Sequence, residues 1–218
     1  MCRPGHHPDS PSGGGHSGVI ARAVDSDQPM VRVWTPSPRV SFGRQDRNRV
    51  GYREATDAAK RRGYAVTERA VGGHPVALTG SSVAFRLATP TTPAAPEITD
   101  RYELVTAAIE SALETLDISV ERGEPPASFC PGTHSLSAKG KVAGFAQRIR
   151  RDVAVTAGLV VVSDHDEIGS VLEPVYEALA VPFDPGSVGS VSRAGGPAAP
   201  ETVVAAVETA LAGVKTDR

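Results

Sequence analysis

Cysteine, aromatic residues and long apolar runs are all scarce in this sequence. Only two cysteines occur among its 218 residues, Cys2 and Cys130, and Cys2 stands in a polar N-terminal stretch. A structural disulfide between them is therefore not expected, which favours a reducing compartment. No apolar run approaches the roughly 18 residues that a membrane span requires. Aromatic residues make up 5% of the chain, so the core must be built from Val, Ala, Leu and Ile, as in a layered domain of helices and sheets.

An excess of one charge is also lacking. Lys and Arg total 23, Asp and Glu total 25, and the formal net charge is −2. This balance argues against bulk electrostatic binding to nucleic acid or to an anionic membrane. The N-terminus has neither a basic-then-apolar signal pattern nor a lipidation motif. We therefore expect a cytoplasmic protein with no nucleic-acid or membrane partner.

The length and local composition predict one folded domain with appendages. Residues 1–18 are rich in Gly, Pro, Ser and His and are expected to form a disordered tail. Residues 19–185 are expected to form the main domain, and residues 186–218 a flexible segment followed by a C-terminal helix. The cysteine and histidines of the tail match no zinc-site spacing, so no metal site is expected.

The order of predicted elements indicates an α+β fold. Strands come first, then a helix over residues 101–116, then further strands and two to three C-terminal helices. Residues 76–78 and 83–88 resemble a hairpin, residues 142–149 and 153–162 resemble an antiparallel pair, and residues 118–120 resemble a short strand. Pro174 is expected to break a helix or to start a second one. We therefore expect mixed or antiparallel sheets with helices packed on their outer faces.

The stretch around Cys130 is the first candidate for chemistry. Residues 122–140 form a long segment with little predicted regular structure, and such loops are often functional. Pro131 and Gly132 place Cys130 at a turn, and Lys141 opens the following strand. A thiolate can attack a carbonyl while a nearby cation stabilises the oxygen's negative charge. The alternatives are that Cys130 is a small core residue and that Lys141 is solvated.

A second candidate is the stretch that runs from Arg69 to His74. The pair Gly72 and Gly73 follows a predicted strand, where backbone N–H groups can approach an oxyanion, and Arg69 can bind a carboxylate. His74 could act as a base. The same residues also fit an ordinary turn with a polar histidine. Gly144, inside an apolar strand, is typical of close approach by a ligand or by backbone.

Three motifs together resemble a known superfamily. These are Ser41-Phe42-Gly43-Arg44-Gln45 after Trp34, then Arg69-x-x-Gly72-Gly73, then Lys141-Val142-Ala143-Gly144. In this order they resemble the biotin/lipoate protein ligase and octanoyltransferase superfamily over about residues 30–185. The segment Phe129-Cys130-Pro131-Gly132, ahead of the lysine strand, is most similar to the cysteine-dependent octanoyl/lipoyl transferase branch.

The resemblance implies a protein-lipoylation enzyme with a biotin/lipoate ligase-like fold. Cys130 would carry the acyl group as a thioester, and Lys141 would bind the acyl carbonyl. The acceptor would be a lysine of a lipoyl domain, in a 2-oxoacid dehydrogenase E2 or a glycine cleavage H-type protein, and an acyl carrier protein is a candidate donor. No cofactor would be needed for transfer. The implied substrate-binding residues are Arg69, Gly72, Gly73, His74, Val142 and Gly144.

Two alternatives stay open within the resemblance. An ATP-dependent lipoate-protein ligase would use ATP and Mg²⁺, with Lys141 and the Gly72-Gly73 loop around a lipoyl-adenylate. The family usually has a histidine where Leu78 stands here, and its absence weakens the ligase interpretation more than the transferase one. A catalytically inactive acyl-binding protein is the third. For any of them, the expected lining of an apolar acyl slot is Val76, Val83, Phe85, Val142 and Phe145.

Overall fold

The computed structural model describes residues 15–69, 72–91, 98–150 and 152–214, with side chains from residue 18 onward. Residues 1–14 of the predicted disordered tail and the Cys2, His6 and His7 positions lie outside the described residues. The strands are β1 (Met30–Trp34), β2 (Arg39–Phe42), β3 (Ala65–Glu68), β4 (Val76–Leu78), β5 (Val83–Pro90), β6 (Glu121–Arg122), β7 (Ser135–Ser137), β8 (Lys141–Ile149) and β9 (Val153–Val160). The helices are α1 (Gly15–Ser26), α2 (Tyr52–Arg61), α3 (Ile98–Glu114), α4 (His165–Ala178), α5 (Val191–Ala194) and α6 (Pro200–Ala212).

These strands form two sheets. The larger has six strands in the order β1-β5-β9-β8-β7-β6, and its pairs are antiparallel. The smaller has the order β3-β2-β4, with β2 and β3 parallel and β2 and β4 antiparallel. The predicted α+β class with mixed and antiparallel sheets is confirmed.

Both faces of the six-stranded sheet carry buried residues, most of them on β5 and β9, and each face has its own core. One face, which we call the α3 face, packs Val83, Phe85 and Val160 against apolar residues of α3 and α6. The opposite face, which we call the Cys130 face, packs Leu159 and Val161 against α4, the smaller sheet and the loop around Cys130. Successive residues of a strand point to opposite faces, so the alternation of Val83, Ala84 and Phe85 assigns each to its side.

Several element predictions are wrong in their partners or continuity. The predicted hairpin does not form, because β4 pairs with β2 in the small sheet and β5 pairs with β1 and β9 in the large one. Pro174 lies inside one continuous helix, α4, in which the flanking Leu172 and Val175 are fully buried. Burial on both sides of the proline holds the helix together despite one lost backbone hydrogen bond. Residues 118–120 are not a strand.

The segment predicted to be flexible over residues 186–196 packs against the sheet, and its residues 187–191 are buried. Val188 and Val191 are fully buried. Backbone hydrogen bonds run from Gly189 N to Lys141 O and from Val191 N to Val161 O, both 2.9 Å. This segment therefore lies along β8 and the end of β9, and α6 then packs on the α3 face. The division of the chain into domains stays a prediction.

Membrane spans and metal clusters were sought over the same described ranges. None of their helices is both long and apolar enough to cross a membrane. Nor do those residues contain a group of three or more His, Cys, Asp or Glu side chains arranged to hold a metal ion.

Candidate functional site

Cys130 lies in the loop between β6 and β7 with an unusual backbone conformation. Its φ is +42°, in the left-handed region, and its free thiol is half-buried. This conformation costs a non-glycine residue roughly 1–2 kcal/mol, so surrounding contacts must maintain it. One of them is the backbone N–H, which donates to the Tyr176 hydroxyl at 2.6 Å.

Tyr176 joins the cysteine loop to the segment after β3. Its hydroxyl donates to Pro75 O at 2.9 Å while it accepts from Cys130 N. Burial raises the pKa of Tyr176 well above its ordinary value of 10.0, so the phenol keeps the proton that it donates. No sequence pattern signals this role, because an apolar-facing tyrosine in the last turn of α4 is typical of a core residue.

Arg69 connects three separate segments at the sulfur. Its Nη1 donates to Ser41 O at 2.5 Å, and its Nη2 donates to His74 O and lies 3.4 Å from Cys130 Sγ. Its backbone N–H also donates to Phe42 O at 2.9 Å, which continues the pairing between β3 and β2. The planar guanidinium presents several donors in a fixed geometry, so it can hold all these groups at once.

Gly73 and Gly72 have different surroundings. Gly73 has φ +87°, and a Cβ there would lie 2.7 Å from Cys130 Sγ and 3.2 Å from Arg69 Nη2. The sulfur therefore lies directly against the Gly73 backbone, in a space that only glycine leaves open. A Cβ at Gly72 would meet nothing within 4 Å. A Cβ at Gly43 would lie 1.8 Å from Gly73 O, so the first motif packs backbone to backbone against the second.

His74 is held by a carboxylate that the sequence analysis did not single out. Its Nδ1 lies 3.2 Å from Oδ1 of the fully buried Asp46, whose Oδ2 accepts from Gly43 N at 2.7 Å. Asp46 therefore fixes both the Gly43 turn and the imidazole ring. Asp46 directly follows the Ser41–Gln45 motif, and this position is the sequence signal by which it could have been found.

Lys141 is one of the most deeply buried charged residues described, at 2% exposure. Its ammonium donates to Phe129 O at 3.0 Å, to Cys130 O at 2.9 Å and to Glu124 Oε2 at 2.5 Å. It also lies 5.0 Å from the centre of the Phe129 ring, in cation–π geometry. The three donors of the ammonium thus all have partners, and two of these are carbonyls of the cysteine segment.

Glu124 completes this arrangement and was missed in the sequence. Besides the ammonium, it accepts from Gly132 N at 2.8 Å and from Ser135 Oγ at 2.9 Å. Its own side chain is 16% exposed. A glutamate followed by Pro125 and Pro126 has the composition of a surface loop. The sequence therefore contains no sign that Glu124 contacts Lys141.

Gly144 and Val142 lie on different sides of β8. A Cβ at Gly144 would be 3.1 Å from Lys141 Cε and 3.5 Å from its Nζ, so this glycine borders the lysine. Val142 is fully buried in the core of the α3 face. It is therefore not brought together with Cys130, and its predicted role as a substrate-binding residue is not supported by this placement. Val83 and Phe85 also belong to the core of the α3 face. They therefore do not line a slot at the Cys130 thiol, which lies on the opposite face.

A serine–histidine contact elsewhere has a structural explanation. Ser190 Oγ lies 3.0 Å from His165 Nδ1. Ser190 is fully buried, and its Oγ accepts from Arg193 N at 3.0 Å as the N-cap of α5. Such a cap satisfies a free N–H at a helix start, so this pair needs no catalytic role.

Comparison with known proteins identifies the family. The model of the family described as "Lipoyl protein ligase A/B catalytic domain" matches residues 18–212. The chain belongs to this family. The match extends beyond the roughly 30–185 span of the sequence resemblance and includes most of α1 and all of α6.

Two curated relatives have related names. An "Octanoyl-[GcvH]:protein N-octanoyltransferase" of Geobacillus kaustophilus is 33% identical over 147 residues, which cover 66% of this chain and 52% of the relative. A "Lipoyl-[GcvH]:protein N-lipoyltransferase" of Listeria monocytogenes is 28% identical over 148 residues, which cover 67% and 53%. The chain therefore matches about half the length of these relatives.

A solved structure supports the fold. The crystal structure of lipoate-protein ligase A bound with ATP superimposes with a TM-score of 0.70, at 18% identity, over 90% of this chain and 78% of that one. At this identity the similarity concerns the fold alone. The recognition of a biotin/lipoate ligase-type fold from three short motifs is confirmed.

Proposed function

We propose that this lipoyl protein ligase A/B-family domain moves an octanoyl or lipoyl group onto a lysine of a lipoyl carrier domain through a thioester on Cys130. The observation that carries the proposal is the position of the Cys130 sulfur against Gly73 and Arg69, with Lys141 bound to the carbonyl of the same residue. A nucleophile beside open backbone and cationic side chains suits covalent acyl transfer. The names of the two curated relatives support the same reaction class.

The reaction divides into two balanced steps. In the first, the Cys130 thiolate attacks the acyl carbonyl of the donor, a C–S bond forms, and the bond to the donor's leaving group breaks. That leaving group is a lysine amine of a glycine cleavage H-type donor, or a thiol of an acyl carrier protein, and it departs with a proton taken from solvent. In the second, the acceptor lysine attacks the thioester, a C–N bond forms, the thiolate leaves, and the amine's proton passes to solvent.

The proposed roles of the cations follow from their contacts. Arg69 touches the sulfur and can face the oxygen of an acyl group carried there. Lys141 would bind the acyl carbonyl only by exchanging one of its present acceptors, since its three donors are all engaged. Gly72 and His74 adjoin Gly73 in the chain, and we propose that they contact the incoming substrate.

We propose that the acyl chain follows a path along the Cys130 face of the large sheet, beginning beside Gly144. Gly144 beside the lysine, Leu159 on β9 and Ala84 on β5 are paired in register there. Trp34 pairs with Ala84 on the edge strand, about 14 Å from Gly144 across three strand spacings. The Arg32 guanidinium lies 4.8 Å from the centre of the Trp34 ring, and we propose that this ring closes the far end of the path. This path replaces the slot predicted from Val83 and Phe85.

No cofactor is required for the proposed transfer. A lipoate-protein ligase acting with ATP and Mg²⁺ is the alternative, since a ligase with bound ATP shares the fold. A half-buried cysteine at the centre of the site favours the transferase, because adenylate chemistry has no need of a thiol. An inactive acyl-binding protein is the third alternative. The proposed partners are lipoyl domains as acceptors, and a cytoplasmic location stays a prediction.

The direct test is transfer without ATP. The purified chain is incubated with an octanoylated H-type protein and a separate lipoyl domain, and octanoylation of the lipoyl-domain lysine is followed by mass spectrometry. Transfer is expected, Cys130→Ser abolishes it, and the matched variant Cys2→Ser retains it. Modification that requires ATP and free lipoate and survives Cys130→Ser would assign the ligase activity instead. Retention of the acylated carrier without any transfer would assign the binding protein.

A further inference from the structure

Glu124 is bound at three points around the cysteine segment. Its carboxylate accepts from the Lys141 ammonium at 2.5 Å, from Ser135 Oγ at 2.9 Å and from Gly132 N at 2.8 Å. Gly132 lies two residues after Cys130, and Ser135 begins β7. One side chain therefore ties the turn that follows the cysteine to the strand that leaves the site.

The ammonium of Lys141 continues this connection to the other side of the cysteine. It donates to the consecutive carbonyls of Phe129 and Cys130 at 3.0 and 2.9 Å. Residues 129–132 are thus held by Glu124 and Lys141 acting together. The left-handed backbone of Cys130, with φ +42°, lies at the centre of that segment.

We propose that Glu124 is a positioning residue for acyl transfer, which acts by holding the Lys141 ammonium on the carbonyls of the Cys130 segment and so fixes the sulfur against Gly73 and Arg69. Lys141 is 2% exposed, so a neutral residue at position 124 would leave a buried ammonium without its counter-charge. A buried charge that loses its partner draws water or moves. In both cases the carbonyls of Phe129 and Cys130 lose their hydrogen bonds to Lys141, and the Cys130 sulfur is no longer fixed against Gly73 and Arg69.

The expected consequence is a slower chemical step. A misplacement of about 1 Å at a reacting group costs on the order of 100-fold in rate. We therefore expect Glu124→Gln to lower kcat by ~10- to 100-fold and to leave the KM for the lipoyl domain within about twofold, because Glu124 contacts no substrate in the proposed reaction. This expectation rests on the proposed function.

The kinetic test separates positioning from loss of folded protein. Wild type, Glu124→Gln and Glu103→Gln are compared in single-turnover acylation by octanoyl-H-type protein. Glu103 is a matched control, because its carboxylate pairs with Arg122 on the surface and is 52% exposed. Positioning predicts a slower acylation rate with a full amplitude for Glu124→Gln, and wild-type behaviour for Glu103→Gln. A reduced amplitude at an unchanged rate would mean misfolding alone and would overturn the proposal.

A second measurement needs no acyl transfer. The rate of Cys130 alkylation by iodoacetamide is measured in wild type, Glu124→Gln, Lys141→Met and the double variant. If Glu124 acts through Lys141, each single variant changes the rate by at least ~threefold, and Glu124→Gln adds less than twofold in the Lys141→Met background. The proposal would be overturned if the two substitutions changed the alkylation rate by independent factors that multiply in the double variant. It would also be overturned if Glu124→Gln had no effect on that rate. Failure of the proposed function would instead appear as a wild type that is alkylated but never acylated.

Discussion

The guanidinium of Arg69 lies 3.4 Å from the sulfur of Cys130, although 61 positions separate the two residues in the chain. The same guanidinium holds the carbonyls of Ser41 and His74. Three stretches that carry the sequence motifs thus converge on one side chain. The backbone of Cys130 is held in addition by Tyr176, which accepts from its N–H, and by Lys141, which donates to its carbonyl.

Replacing Arg69 by lysine should disrupt this convergence. A lysine cannot reach two carbonyls and the sulfur from a planar fork, so at least one buried acceptor loses its donor. We expect Arg69→Lys to lower the free energy of unfolding by about 1–3 kcal/mol and to reduce acyl transfer. The control is Arg49→Lys, which disturbs a single contact to Leu179 O. Urea unfolding curves compare the two, and equal stability losses would contradict the account.

Gly73 and Gly72 provide a matched pair for the space around the sulfur. Gly73→Ala places a Cβ 2.7 Å from Sγ at φ +87°, which forces the thiol away and strains the backbone. We expect a stability loss of about 1–2 kcal/mol together with slower alkylation of Cys130. Gly72→Ala meets no atom within 4 Å and should leave the melting temperature close to that of wild type. Thermal unfolding of both variants measures this difference. An equal fall in melting temperature for Gly72→Ala and Gly73→Ala would contradict the close packing of the sulfur against Gly73.

Tyr176→Phe removes one hydroxyl and leaves two backbone groups without a partner. Cys130 N and Pro75 O both depend on that hydroxyl. An unsatisfied buried group costs about 1–3 kcal/mol, so a clear fall in the free energy of unfolding is expected. Tyr52→Phe loses only an exposed contact to Glu68 and should cost about 1 kcal/mol or less. Chemical denaturation measures both, and a near-neutral Tyr176→Phe would show that the hydroxyl does not hold the loop.

Alkaline pH should destabilise the fold through its tyrosines. Burial, aided by Glu68, raises the pKa of Tyr52 to about 12, and burial also raises the pKa of Tyr64 and of Tyr176. In the unfolded chain tyrosine titrates near 10. The stability contribution is therefore complete below pH of about 10 and is lost as the pH rises through the folded-state values.

The measurement is the free energy of unfolding at several pH values from about 8 to about 11.5, on both sides of the ordinary tyrosine pKa of about 10. Wild type should lose stability above pH of about 10, and Tyr64→Phe should lose less over the same interval. Parallel curves for the two proteins would contradict the assignment of this loss to Tyr64.

Local sequence patterns were sufficient for elements whose signal lies within them. The 3.6-residue spacing in α3 and α6 and the apolar runs of β8 and β9 each predict their element without knowledge of its neighbours. Pairing is different, since β4 and β5 are adjacent in the chain yet join different sheets. The short turn between β4 and β5 contains no signal for the sheet that each strand joins, because that pairing depends on strands distant in the sequence.

The site residues that belong to sequence motifs could be predicted. Those that contribute only through contacts between distant segments could not. The structure brings Cys130, Arg69, Gly73 and Lys141 into one region, as the resemblance implied. Glu124 and Tyr176 had no signal, because a loop acid and a helical tyrosine are both common. Val142, a substrate-binding residue implied by the resemblance, packs in the core of the α3 face, while a register shift between β7 and β8 brings Lys141 beside Gly144.

The central claim, a thioester on Cys130, can be measured directly. The purified protein is incubated with an octanoylated donor without ATP, and its intact mass is recorded before and after a lipoyl domain is added. The account predicts one octanoyl adduct that maps to Cys130 and disappears as the lipoyl domain becomes acylated. An unmodified mass while the lipoyl domain is acylated, or an adduct on another residue, would contradict it.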